Sequence, residues 1–216
     1  MWLTAADIIG ISAWVDEDSA WRLIAERCPI VFHVGEISLT LRSSDGSSLP
    51  PIDEQFVRGE GIHLRFPQRP TSDEFGFQLV LRRVFADAVT EVFEALVSVQ
   101  TSLLDSNPTL DLGLKGEEFN VIGTASTGLP LHCCSTSQYD ASILLGPHDA
   151  PSSEVQATRG GTTVRLFGHF LEKGVIRRAR PWLVVGRRET PHRPSLDQTR
   201  LCEIWQQLSE SALPLD

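Results

Sequence analysis

The stretch Glu91 to Leu112, EVFEALVSVQTSLLDSNPTLDL, constrains the fold more than any other part of the chain. Phe93, Ala95, Val97 and Val99 alternate with Glu94, Ser98 and Gln100. This period of two gives a strand one apolar face, whereas a helix would scatter the same residues around its axis. The turn-forming run Asp105-Ser106-Asn107-Pro108 follows, and Leu110 and Leu112 resume the alternation. The pattern predicts a central β-strand, a tight reversal and a second strand beside it.

The same period recurs along the chain. In Val31 to Leu41 the odd positions Val31, His33, Ile37, Leu39 and Leu41 read as inward. In Gly61 to Phe66, Ile62, Leu64 and Phe66 read as inward, with His63 and Arg65 outward. Phe75 to Leu81, Glu118 to Ala125, Leu131 to Ser135 and Ala141 to Leu145 add further strands. Thr162 to Leu171 and Val175 to Val185 read as a hairpin across Glu172-Lys173-Gly174, where glycine supplies a positive φ. About nine or ten strands with outward polar positions predict a mainly β fold, an antiparallel sandwich or flattened barrel.

Two segments read as peripheral helices. In residues 1–29, Asp16-Glu17-Asp18-Ser19 suits a helix start, Trp21, Ile24 and Ala25 form a stripe, and Cys28-Pro29 ends it. Over 195–210, Ser195 and Gln198 have capping-box spacing, and Leu201, Ile204, Trp205 and Leu208 fall on one face. That helix is expected to close an end or edge of the sheets. No repeat or linker composition divides the chain, so residues 1–216 read as a single domain with its β core at 30–190.

A formal charge of −9 argues against a nucleic-acid partner, because a polyanion needs a positive field. The charge is uneven: residues 1–60 carry ten acidic and four basic side chains, residues 159–200 three acidic and ten basic. The asymmetry marks an anion-binding face or, as the stronger expectation, the two segments pack together and pair, or the arginines form the solvated face of a strand. Met1 is followed by WLTAADIIGISAW, without a basic leader, and no apolar run approaches the length of a membrane span. A cytoplasmic protein without a membrane partner is expected, with Cys28, Cys133, Cys134 and Cys202 as reduced thiols.

Chemistry-bearing residues cluster loosely. His132, Cys134, His148 and His169 are the candidate metal ligands, since alternation puts His132 and Cys134 on one face while Cys133 turns away. Cys133 or Cys134, activated by His132 or His148, is the candidate nucleophile. The outward row Ser98, Gln100 and Ser102 either faces solvent or, joined by His169, Glu172 and Arg177, lines a polar cleft. Gln100, His169, Glu172 and Arg177 are thus the candidate residues for a small polar ligand or sugar. His33 reads as a hydrogen-bonded core residue, His63 and His192 as exposed, and Trp182 as packing beside Pro181.

Two phrases, SVQTSLLD at Ser98 to Asp105 and LEKGVIRRAR at Leu171 to Arg180, resemble segments of uncharacterised bacterial β-rich proteins. The resemblance implies no activity, but it implies that the two segments lie together. Three readings of function follow, in order: a non-enzymatic binding or interaction module, a carbohydrate-binding or sugar-isomerising sandwich, and a metal-dependent enzyme. A sandwich with open edges is also expected to pair as a homodimer, through Phe75 to Leu81 or the Thr162 to Val185 hairpin.

Overall fold

The computed structural model describes every residue except 1, 9–10, 17–20, 26–28, 35, 126–127, 129, 159, 191 and 213–216. Two antiparallel sheets pack face to face, and neither closes into a barrel. The chain begins with β1 (Trp2–Ile8), β2 (Ile11–Asp16), β3 (Trp21–Ala25), β4 (Ile30–Val34) and β5 (Ile37–Ser43). It continues through β6 (Glu54–Arg58), β7 (Gly61–Phe66), β8 (Gly76–Ala86), β9 (Thr90–Gln100) and β10 (Thr109–Lys115). Then come β11 (Glu118–Thr124), β12 (Pro130–Ser135), β13 (Tyr139–Leu144), β14 (Ser153–Thr158) and β15 (Gly161–Phe167). The last elements are β16 (Ile176–Ala179), β17 (Trp182–Arg187) and α1 (Gln198–Glu210). One sheet has eight strands in the order β1-β2-β3-β4-β5-β10-β15-β14. The other has nine: β11-β12-β13-β17-β9-β8-β7-β6, with β16 also on β9.

Alternation builds the core between them. From the eight-stranded sheet Ile30, Phe32, Ile37, Leu39 and Leu41 point inward, and from the other Leu64, Phe66, Phe77, Phe93 and Val97 meet them. Phe32 and Phe93 touch edge to face across the gap, centroids 5.4 Å apart. Each such side chain, fully buried, contributes about 1.5–3 kcal/mol.

Several expectations are corrected. Residues 2–8, 11–16 and 21–25 are strands of the eight-stranded sheet and not a helix; the expected helix start at Glu17 to Ser19 and its stop at Cys28 lie outside the described residues. Paired β-branched and aromatic residues outweigh a weak apolar stripe when strand neighbours are at hand. Val31 to Leu41 is two strands, and the inward residues of β4 are Ile30 and Phe32, with Val31 and His33 only half-buried. Phe32 lies opposite Leu39, so a tight reversal exchanges even for odd positions, which an unbroken alternation conceals.

The two expected hairpins are crossovers between sheets. After β9, residues 101–108 carry the chain to β10 in the opposite sheet, and after β15 residues 168–175 carry it back to β16. Phe167 takes a left-handed backbone, φ 69°, and Gly168 follows at φ 83°, which swings the chain out of β15. The crossovers brace each other: Leu171 N donates to Ser106 O at 2.8 Å and Gly174 N to Thr101 O at 3.1 Å. Ile176 lies opposite Gln100 and Arg178 opposite Ser98, so the phrases SVQTSLLD and LEKGVIRRAR are neighbours, as expected.

Helix α1 covers a face of the nine-stranded sheet and not an end or edge. Leu201, Ile204 and Leu208 pack on Val92, Leu144, Trp182 and Val184 in a second core, and Trp205 donates Nε1–H to Leu145 O at 2.8 Å. Its N-cap is Asp197, which accepts from Arg200 N at 2.8 Å. The expected cap, Ser195, instead gives its N–H and hydroxyl to Asp140 Oδ2, at 2.6 and 2.8 Å. Asp140 is fully buried: burial favours its neutral form, but bonds from Arg188, Ser135 and Ser195 outweigh this and hold the carboxyl below its usual range.

Candidate functional site

The outer face of the nine-stranded sheet has two halves. Where β9, β17 and β13 present Val92, Val184 and Leu144, α1 covers them. Across β9, β8 and β7 the outward positions are Glu94, Leu96, Val80, Arg82 and His63, which one helix with an apolar stripe cannot cover without burying charge. A groove of about 600 Å³ remains there. Its width depends on a bulge: Arg83 lies opposite Phe93 and Phe85 opposite Val92, so Val84 is an extra residue in β8. Arg82, Arg83 and Val84 therefore all reach the same cavity, although strict alternation would turn the middle one away.

Glu94 anchors the groove at its helix side. It is 2% exposed, accepts from Arg82 Nε at 2.8 Å and Trp182 Nε1 at 3.2 Å, and lies 3.8 Å from Arg180 Nε. Arg180, itself buried, donates to the carbonyls of Leu208, Ser211 and Ala212, at 3.3, 3.3 and 2.6 Å. These acceptors lie at and just past the C-terminal end of α1, where a cation is favoured. The backbone N–H of Arg180 reaches Asp149 Oδ2 at 2.9 Å. Burial pushes Asp149 above the usual carboxylate range, against the pull of Arg180. One guanidinium thus joins the helix end to the groove wall.

The opposite wall comes from the β6–β7 hairpin. His63 lies flat on Phe56, centroids 4.7 Å apart and planes within 6°. Burial, then the charge of Arg58, lowers the His63 pKa from its ordinary 6.5, so the imidazole is neutral at pH 7. Arg83 pairs with Glu60 at 3.6 Å, a contact open to solvent. Three arginines against two glutamates leave the lining cationic, and it holds no hydroxyl or thiol.

A second cavity, of about 280 Å³, lies between residues 43–50 and 69–75. Ser43, Ser47, Ser48 and Ser72 line it with Asp45, Asp73 and Arg69. Bonds from Ser43 and Ser47 bring Asp45 down to about 2, and Arg69 holds Asp73 through two short bonds of 2.7 and 2.6 Å.

The residues singled out from sequence fall elsewhere. Gln100 is exposed at the end of β9, His169 and Glu172 are exposed on the second crossover, and Arg177 donates to the carbonyls of His169 and Phe170, at 3.4 and 3.1 Å. The structure brings Arg177 and His169 together, but the four line neither cavity, and Ser98 and Gln100 face outward. The candidate metal ligands are not gathered. His132 and Cys134 do share a face, yet His132 Nδ1 bonds Thr162 Oγ1 at 2.8 Å and Cys134 Sγ turns to Leu114 O at 3.6 Å, while His148 and His169 are exposed. Among the described residues no group of three or more His, Cys, Asp or Glu can hold a metal ion. Burial pushes Cys133 up to about 12 and Cys134 up to about 11, which leaves both as inert thiols. Cys28 lies outside the described residues.

Four arginines of the basic late segment pair elsewhere than with the acidic start. Arg165 pairs with Asp111, Arg180 with Glu94, Arg188 with Asp140 and Arg200 with Asp87, all acids from the middle of the chain. No helix among the described residues is long and apolar enough to cross a membrane. Reasoning from sequence placed His63 outward but missed the groove; a signal was available in the outward His63, Arg82 and Glu94 on successive strands of a face that also carries Val92 and Val184. No protein-family model matches the chain, and no curated protein is significantly similar to it.

Proposed function

We propose that this protein is a non-enzymatic binding module that takes a small anionic ligand in the groove of the nine-stranded sheet. The observation that carries the reading is the side-chain set there: three guanidinium groups and a neutral imidazole around a cavity of about 600 Å³, a size suited to a small molecule. Arg82 is held by Glu94 and gives the groove a fixed wall. The pair of Arg83 with Glu60 lies in solvent, is worth about 0–1 kcal/mol, and yields readily to a carboxylate or phosphate. His63 on Phe56 offers a flat wall and both a donor and an acceptor. The lining holds no hydroxyl or thiol, and Glu94 is engaged by Arg82 and Trp182, which favours binding over covalent catalysis.

Calorimetric titration with citrate, inorganic phosphate and hexose phosphates tests the reading. Saturable binding that weakens with salt, and by at least about tenfold in an Arg58→Ala, Arg83→Ala double variant, is expected. No saturable binding by any of these anions, or binding that the double variant leaves intact, refutes it.

A second reading, a neutral sugar, rests on the smaller cavity, where serine hydroxyls and carboxylates offer the mixed donors and acceptors a polyol needs. A thermal shift with neutral monosaccharides that survives the arginine substitutions but disappears in Asp45→Ala supports it; no shift removes it.

A further inference from the structure

Of the expected dimer edges, Phe75 to Leu81 is interior, since β8 lies between β7 and β9; in the Thr162 to Val185 region β15 lies between β10 and β14 and β17 between β13 and β9, while the four-residue β16 pairs with β9 alone. The edge beyond the groove is β6, which pairs with β7 on one side and ends the nine-stranded sheet on the other. All five of its residues are exposed, Phe56 at 44% and Val57 at 41%. Charged residues stand only at its two ends, Glu54 and Arg58, so the Gln55-Phe56-Val57 centre carries none of the charge that usually guards a sheet edge. The hairpin behind it is firmly set, because Gly59 takes φ 59° in the two-residue turn and His63 stacks on Phe56.

The charge pattern of β6 is self-complementary. Glu54, Phe56 and Arg58 share the outer face, opposite Arg65, His63 and Gly61 of β7. An antiparallel copy related by a twofold axis at Phe56 would set Glu54 against the partner's Arg58, Phe56 against Phe56, and Arg58 against the partner's Glu54. Opposite charges directly across an antiparallel pair stabilise it and like charges oppose it. A parallel copy in register would instead face Glu54 with Glu54. We propose that a second copy of this chain is the partner of this edge: two β6 strands pair antiparallel about Phe56 and join the nine-stranded sheets into one. This goes beyond ligand binding and places two grooves on one continuous face. Five residue pairs make a small contact, so the dimer is weak and depends on concentration.

Sedimentation velocity across micromolar to millimolar concentrations tests it with the full chain. The parent is expected to dimerise, and Glu54→Arg and Arg58→Glu each to weaken self-association by about tenfold or more, since each sets like charges across the axis. The two variants mixed are expected to form a heterodimer, because one β6 strand then carries a positive charge at both ends and the other a negative charge at both, so opposite charges meet on either side of the axis. A loss caused by misfolding would not be rescued by mixing. Independently, Phe56→Cys under mild air oxidation is expected to give a disulfide-linked dimer that Glu54→Cys does not, as only position 56 meets itself on the axis. A parent that stays monomeric throughout, a dimer indifferent to both reversals, or a mixture no more associated than its components overturns the proposal. Anion titration of Glu54→Arg, which leaves the groove lining untouched, separates this result from that of the ligand reading.

Discussion

The two halves of one sheet face show how the same backbone is put to different use. Under α1, the outward residues Val92, Leu144, Trp182 and Val184 are apolar and the helix buries them. Further along β9 the outward residue is Glu94, and from there across β8 and β7 the face carries Arg82, Arg83 and His63 and stays open. The covered half lowers the free energy of folding through area removed from water. The open half keeps its charges because hydration, or a ligand, satisfies them better than a helix would. Arg180 stands at the boundary and serves both halves, capping α1 and approaching Glu94.

The largest effect is expected at the boundary. Arg180→Ala removes the donor of the Ser211 and Ala212 carbonyls beyond α1 and the cation beside Glu94 and Asp149, so a loss of about 3–5 kcal/mol in urea unfolding is expected. Next is the covered half: Ile204→Ala opens a cavity in the second core and costs about 2–5 kcal/mol. The open half should behave in the opposite sense. Arg58→Ala with Arg83→Ala changes stability by no more than about 0.5 kcal/mol while weakening anion binding by at least about tenfold, because exposed pairs contribute little to folding. If that double variant unfolds as readily as Ile204→Ala, the division into a structural and a binding half is wrong.

pH gives a smaller effect, in the groove and between the two sheets. His63 in the groove and His132 beside Thr162 both have pKa values lowered from 6.5, chiefly by burial. A lowered histidine keeps its full contribution to stability above its unfolded value and loses it as pH falls through the folded value, because the unfolded chain then binds more protons. The thermal midpoint is therefore expected to fall below pH 6.5, with a shallower fall in His132→Gln. Anion affinity is expected to rise over the same window, since protonated His63 adds positive charge to the groove, and His63→Gln should flatten that rise alone.

The strands of the nine-stranded sheet and the apolar face of α1 were legible because each is a local period: Phe93, Val97 and Val99 on β9, and Leu201, Ile204 and Leu208 on the helix. The parity of β4 was not, because the reversal before Ile37 exchanges odd for even without breaking the run of apolar residues. Nor were the crossovers. Asp105-Ser106-Asn107-Pro108 states that the chain turns, but it does not state whether the next strand lies beside β9 or in the opposite sheet. The groove was the least legible, since His63, Arg82 and Glu94 each look like an ordinary outward residue of a solvated strand.

A mainly β chain with a covering helix near its C-terminus follows from local pattern alone, because period two and period 3.6 are properties of neighbouring residues and survive without any partner. Which strands become neighbours, which face the helix covers and where an edge is left are set by packing. Those choices depend on contacts between residues far apart in sequence, such as Arg180 with the end of α1 and Arg82 with Glu94. No local pattern records them, since the free energy that selects them appears only once the sheets have packed.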